Sequence, residues 1–260
     1  MAKVAYGGPQ KRIGAKPKGN RSLTLDASHK AIRDERTLFR KSVVHSDASP
    51  RLLVDGHNQR KVGRTIVKGA WKGCRIFTLT LEERATCPSS CKHWLSCYGN
   101  NMHLSRRHVL DGALIDRLEA EVPALIAKHG RIAIRLHVLG DFGRPEDEPL
   151  ALRYVAFWTL MLLQHEGLHL FGFTAHTLAD PIGDAILGMN TSFPRRCRIR
   201  FSNSRAPDRL EANSFDPNVS NPSGVVCPAQ TEATDCCATC ALCWSTDRAI
   251  SFIEHGKVRA

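Results

Sequence analysis

From residue 75 onward short apolar segments alternate with longer amphipathic ones, and this alternation limits the fold more than any other feature of the chain. Arg75-Ile-Phe-Thr-Leu-Thr-Leu81 has the period-two pattern of a strand. His103 to Lys128 repeats Val109, Leu110, Leu114, Ile115, Leu118, Val122, Leu125 and Ile126 at helical intervals, and Gly130 stops it. Arg131 to Leu139 reads as a buried strand that ends in Gly140-Asp141-Phe142. Leu150 to His165 reads as a second helix, His169 to Ala175 as a third strand, and Pro181 to Met189 as a short helix. Arg198 to Ser202 gives a fourth strand and Val225-Val226 a fifth. Strands alternating with helices predict an α/β fold whose parallel sheet has right-handed crossovers, curled into a partial, TIM-barrel-like (βα) barrel.

In such folds the working side chains collect beyond the carboxyl ends of the strands. The first strand leads to Cys87, Cys91 and Cys97, and the second to His137, Gly140 and Asp141. The third leads to Thr174 and His176, the fourth to Ser202, Asn203 and Ser204, and the fifth to Cys227. Arg135 and His137 are two residues apart, so alternation predicts one shared side of the strand for both. An arginine there suits a carboxylate or phosphate, which it grips through two donors; the competing reading is a structural ion pair. Asp141 could accept a hydrogen bond from a substrate amine or cap a turn. Arg135, His137, Asp141, Thr174 and His176 are therefore the candidate catalytic residues, and Gly140, Asp141, Ser202 and Asn203 the candidate contacts to a cofactor.

Seven of the ten cysteines fall in two runs, Cys87-x3-Cys91-x5-Cys97 and Cys236-Cys237-x2-Cys240-x2-Cys243, with Cys227 outlying. Two successive x2 intervals at 237, 240 and 243 are the spacing with which ferredoxin-type segments wrap a 4Fe-4S cluster. Cys237 keeps both intervals and Cys236 does not. Structural zinc also uses C-x2-C elements, normally as two separated pairs, and stays open as the alternative. A disulfide framework fits poorly, because it belongs to small chains in oxidising compartments, whereas this one has 260 residues and begins Met-Ala-Lys-Val without an apolar leader. The expected metal ligands are Cys87, Cys91 and Cys97 at one site and Cys227, Cys237, Cys240 and Cys243 at the other. The first run offers three thiolates, with His93 and then Cys74 as candidates for a fourth ligand. Cys197 reads as a small buried hydrophobe, and Trp94, Tyr98 and Trp244 as shields of the thiolates from water.

Charge is distributed unevenly. Residues 1 to 70 hold sixteen Lys and Arg against five Asp and Glu, a surplus of eleven within a formal net charge of +12. The first 20 residues, rich in Gly, Pro and basic side chains, read as a flexible arm able to bind phosphates without sequence preference. A solvated tail is the plainer reading of the same residues. These features divide the chain into a basic arm (1–58), an α/β body (59–225) and a cysteine-rich segment (226–260). No run of about 18 apolar residues suggests a membrane span, so a cytoplasmic protein is expected.

A cysteine loop directly after the first strand of a partial barrel resembles the layout of radical S-adenosylmethionine enzymes. Their loop is usually C-x3-C-x2-C, and five residues separate Cys91 from Cys97 here. The chain more closely resembles the phage-associated gene product 88 domain family. The matching pieces are Cys87-x3-Cys91-x5-Cys97-Tyr98, Arg135-x-His137-x2-Gly140-Asp141-Phe142, Tyr154-x3-Trp158, Phe173-Thr174-Ala175-His176, Cys227-Pro228, Cys237-x2-Cys240-x2-Cys243-Trp244 and Phe252-x2-His255-Gly256-Lys257. They cover roughly residues 60 to 257 in order. The resemblance implies a phage or prophage cluster-binding protein related to radical enzymes; with the cysteine spacing the expectation is two 4Fe-4S clusters, S-adenosylmethionine as a candidate cosubstrate and an electron donor if the protein is catalytic. The rival expectation is a non-catalytic phage protein, stapled by zinc or an inert cluster, that binds nucleic acid through its arm.

Overall fold

The computed structural model describes residues 23–59, 61–202, 206–218 and 220–254. Its strands are β1 (Val43–Val44), β2 (Val54–Asp55), β3 (Arg75–Thr78), β4 (Arg107–His108), β5 (Ile132–Leu136), β6 (Leu168–Thr174), β7 (Cys197–Ser202), β8 (Glu211–Phe215), β9 (Val225–Val226) and β10 (Ile250–Ile253). Its helices are α1 (Lys30–Arg33), α2 (Gly112–His129), α3 (Glu148–Gln164), α4 (Pro181–Ser192), α5 (Cys237–Cys240) and α6 (Leu242–Ser245).

Eight strands form one sheet in the order β2-β3-β5-β6-β7-β8-β10-β9. Every pairing from β3 to β9 is parallel, and only β2 runs antiparallel, against β3. The sheet is open, with β2 and β9 at its edges, so a mixed α/β fold is found without closure into a barrel. The crossovers α2, α3 and α4 share one face. There Ile132, Ile134 and Leu136 of β5, Leu168 and Leu170 of β6, and Ile199 and Phe201 of β7 meet Leu114, Leu118, Val122, Trp158, Leu162 and Ile186 in one core. The opposite, inner face carries Ile76, Ala133 and Phe171, and the cysteine-rich segment fills it with Cys236, Ala238, Ala241 and Trp244. Trp71 stacks on Trp244 at 5.4 Å between ring centroids and 3° between planes.

Several expectations need correction. The helix expected from His103 starts at Gly112, because the Asp111 carboxylate caps it by accepting the Leu114 N–H at 2.8 Å. Upstream residues form β4 instead, paired with β1. The arm expected over 1–58 is not separable at residue 58. Leu52 and Leu53 lie in the core, their N–H groups donate to Glu121, and β2 extends the sheet. Residues 1–22, with most of the expected flexible stretch, lie outside the described residues. Nor is 226 a boundary, since β10 pairs with β8 on one side and β9 on the other. Among the described residues no helix is long and apolar enough to cross a membrane.

Candidate metal centres and the strand-end site

Cys237 and Cys240, three residues apart, share one face of α5. Ala241 in the left-handed region (φ +64°) breaks the helix, and α6 then brings in Cys243. Cys227 arrives from the end of β9, its N–H donating to Ser251 O at 2.9 Å. These four cysteines line one small cavity together with Pro228, Trp244 and Ile250. Cys236 does not line it: this residue is the N-cap of α5, and its sulfur packs where a side chain at Gly63 would have to go. Burial pushes the Cys237 thiol up to about 12, and the neighbouring Cys227, Cys236 and Cys240 push the same way while Arg135 opposes them. Cys243 is raised likewise, by burial and then by Cys237 and Cys227.

The first run forms a loop that leaves β3, reaches over to β8 and β10, and returns to β4. Lys92 Nζ pairs with Glu254 at 2.7 Å, and His93 Nε2 lies 2.9 Å from Ser214 Oγ. Two buried arginines shape the loop. Arg84 donates to Trp94 O at 3.1 Å and Asn100 Oδ1 at 2.6 Å, and Asn100 in turn donates to Leu95 O at 3.0 Å. Arg107 grips Glu83 through Nε (2.6 Å) and Nη2 (3.0 Å) and also donates to Gly99 O at 3.1 Å. Burial raises the Cys87 thiol well above the ordinary range, reinforced by Asp141, Cys91 and Cys97; burial and then Glu83 bring Cys97 up to about 11. Of the fourth-ligand candidates, His93 holds Ser214 and Ser96, and Cys74 lies beside His169 at the opposite end of β3. Tyr98 is 36% exposed and shields little.

The candidate catalytic residues divide between three places. Asp141, Thr174 and His176 come together beside the first cysteine loop. Asp141 Oδ2 accepts the Ala175 N–H at 2.7 Å, Oδ1 accepts the Phe142 N–H at 2.9 Å, and the Asp141 N–H donates to Thr86 Oγ1 at 3.0 Å. Burial raises the Asp141 carboxyl, against the pull of His176. The His176 N–H donates to Thr174 Oγ1 at 3.1 Å, and its Nε2 lies 3.0 Å from Gly143 O. Gly140 makes the turn at φ +81°, where a Cβ would sit 2.6 Å from both Leu81 Cβ and Thr86 Oγ1.

His137 goes elsewhere. It packs into the helical layer, with Nε2 2.9 Å from Tyr154 Oη and its ring 5.0 Å from Phe142. Burial, aided by Arg135, lowers it to about 3. Arg135 stays on the inner face, near Cys237. The shared side expected for Arg135 and His137 fails because β5 ends at Leu136, and strand alternation ends with it. Ser202 closes β7 with its side chain half-buried; Asn203 and Ser204 lie outside the described residues.

Among the described residues no three His, Cys, Asp or Glu side chains close on a point as ligands of a single ion do. With Zn–S bonds of about 2.3 Å, sulfurs around one zinc stand about 3.8 Å apart. A four-iron cluster takes each thiolate on a different iron. The donor set at the C-terminal cavity, four cysteines without a histidine or carboxylate, is one that either a four-iron cluster or a structural zinc takes. The fold is mixed α/β, with one group of cysteines against the sheet's inner face and another in the loop at its strand ends. Comparison with protein-family models, curated proteins and solved structures found no match.

Proposed function

We propose that this protein holds two 4Fe-4S clusters and uses the one at the strand ends for reductive or radical chemistry. The observation that carries this reading is the single cavity lined by Cys227, Cys237, Cys240 and Cys243, thiols drawn from two separate segments and gathered at one place. They supply one thiolate for each iron of a cluster whose role is structural or electron-relaying. Cys87, Cys91 and Cys97 supply three, and with His93 and Cys74 engaged elsewhere one iron is left for a small molecule, S-adenosylmethionine being the candidate. When bound, a cluster with an open iron supplies electrons singly to a molecule held against it.

The chain's own residues provide the setting. Asp141 accepts two backbone N–H groups and the Thr174 hydroxyl, and keeps one acceptor site for an amine. Thr174 and His176 fix the adjoining backbone, and Leu139 and Phe142, both buried, flank the turn at Gly140. Arg135, on the inner face, is the candidate for an anionic group reaching past the rim. A cytoplasmic phage or prophage protein with a separate electron donor completes the proposal, following the family resemblance.

Metal analysis tests it. Protein purified without oxygen is expected to be brown, with about eight irons and eight sulfides per chain. Stoichiometric zinc without sulfide would sink the reading and leave the metal-stapled, nucleic-acid-binding alternative. Added S-adenosylmethionine should perturb the spectrum of the reduced first cluster; an unchanged spectrum with both clusters intact removes the radical part alone.

A further inference from the structure

Arg84, Arg107 and Arg200 are among the largest fully buried side chains, with 1%, 0% and 0% exposure. Removing a guanidinium from water costs several kcal/mol unless its charge is met. Arg107 is met by the Glu83 carboxylate. Arg200 meets only carbonyls: Nε donates to Cys243 O at 2.9 Å, Nη2 to Thr246 O at 2.9 Å, and Nη1 to Glu211 O and Arg248 O at 3.1 Å and Asp208 O at 3.4 Å. Among the described residues no carboxylate pairs with it. Glu211 and Asp208 give it their carbonyls, and Asp247, whose charge acts on it, has its side chain 83% exposed and pairs with Arg198 instead. Carbonyl dipoles solvate a cation but leave its charge in place.

The missing anion has a natural source. Arg200 holds the backbone of Cys243 itself, and the charges of the two side chains act on each other. Strand alternation explains the placement. Arg200 stands between Ile199 and Phe201, which face the helices, so it faces inward to where α6 carries Cys243. Arg84 repeats the arrangement beside the first loop, bonded to carbonyl and amide oxygens and lacking a carboxylate among the described residues, close to Cys91 and Cys97. Among the described residues, each group of cysteines thus has one buried arginine with no carboxylate paired to it.

We infer that Arg200 is the counter-cation of the C-terminal cysteine centre: besides holding the backbone of α6, its charge balances the thiolate-bound group and sets that group's reduction potential. The inference rests on the proposal that this centre holds a cluster. Reduction adds one negative charge to the centre, and a cation in the low-dielectric interior favours that addition. Arg200 is a positioning residue in this role, acting through the ligands it adjoins.

The test uses full-length protein carrying Cys91→Ala, so that the C-terminal centre gives the signal, and compares Arg200 with Arg200→Lys and Arg200→Gln. Lys keeps the charge with fewer well-placed donors; Gln keeps neutral donors and loses the charge. Anaerobic titration with dithionite, followed by electron paramagnetic resonance, should give a Lys potential close to that with arginine and a Gln potential shifted lower. If Gln is too disturbed to be titrated, iron retention decides, with Lys keeping its iron and Gln losing it. A Gln potential equal to that with arginine, or equal shifts or equal iron loss in both variants, would overturn the inference. An Arg200 protein without iron and sulfide would overturn the cluster reading itself, which a separate assay of metal content distinguishes.

Discussion

Asp141 joins three segments through single hydrogen bonds: the end of β5, the backbone after β6, and Thr86 just before Cys87. Asp141→Ala leaves the buried Phe142 N–H and the half-buried Ala175 N–H without their acceptor, a loss of about 1–3 kcal/mol. Urea unfolding should show it, and iron analysis should show the first centre depleted while the second persists. Asp141→Asn, which keeps one acceptor oxygen, should lose less of both. Next to it, Gly140→Ala meets a left-handed backbone and two close neighbours, and should cost about 1–3 kcal/mol in the same assay. The strand-end pattern made Gly140, Asp141, Thr174 and His176 legible in the sequence, because position after a strand determines which rim a residue occupies. Arg84, Arg107 and Arg200 were not legible. An arginine is most often exposed, and only tertiary packing reveals that these three are enclosed.

At the scale of elements, the first cysteine loop is as well fixed as its buried pair Glu83 and Arg107. Arg107→Met strands the Glu83 carboxylate with only Thr37 as partner and should destabilise the protein by about 3–5 kcal/mol. Replacing both, Arg107→Met with Glu83→Leu, should cost less than the two single changes summed, which a double-mutant cycle in urea measures. The apolar strands β5, β6 and β7 and the helices between them were evident from periodicity. β8, Glu211-Ala-Asn-Ser-Phe215, was not, since its mostly half-buried residues carry no apolar alternation. The choice of Cys237 over Cys236 followed from spacing alone, and the helical geometry of α5 explains why: the two residues lie on different faces, and only one faces the cavity.

Across the whole molecule, His108, His137 and His169 are enclosed in uncharged form. Burial lowers His108 to about 4, His137 to about 3 and His169 to about 4, whereas an unfolded histidine titrates near 6.5. Below pH 6.5 the unfolded chain binds more protons than the folded one. The stability held by these groups is therefore complete above that pH and drains as pH falls toward 4, at about 1.4 kcal/mol per unit for a fully enclosed group such as His137. Urea midpoints measured from pH 7 to 4 should decline accordingly, and His169→Phe should flatten the decline. Truncation separates arm from fold. Removing residues 1–58 should unfold the protein, because Leu52, Leu53, β2 and the Arg36–Glu82 pair go with them. Removing residues 1–22 takes away six Lys and Arg and should weaken binding to duplex DNA and flatten its salt dependence, by about 0.9 in log–log slope for each phosphate no longer neutralised. Undiminished DNA binding after the shorter truncation would place the nucleic-acid site on the body.

β10 is later in the chain than β9, α5 and α6, yet it lies between β8 and β9 in the sheet. During synthesis, then, the last cysteines leave the ribosome before the strand that joins their neighbourhood to the rest of the sheet. β9 has no paired neighbour until β10 arrives, and Cys227 at its end makes its hydrogen bond to Ser251 only then. The inner group of cysteines is consequently completed late, and its lining stays open until that strand pairs. On the proposed cluster reading, released protein ending just before residue 250 should accept iron and sulfide at the first loop while remaining unable to retain them at the second.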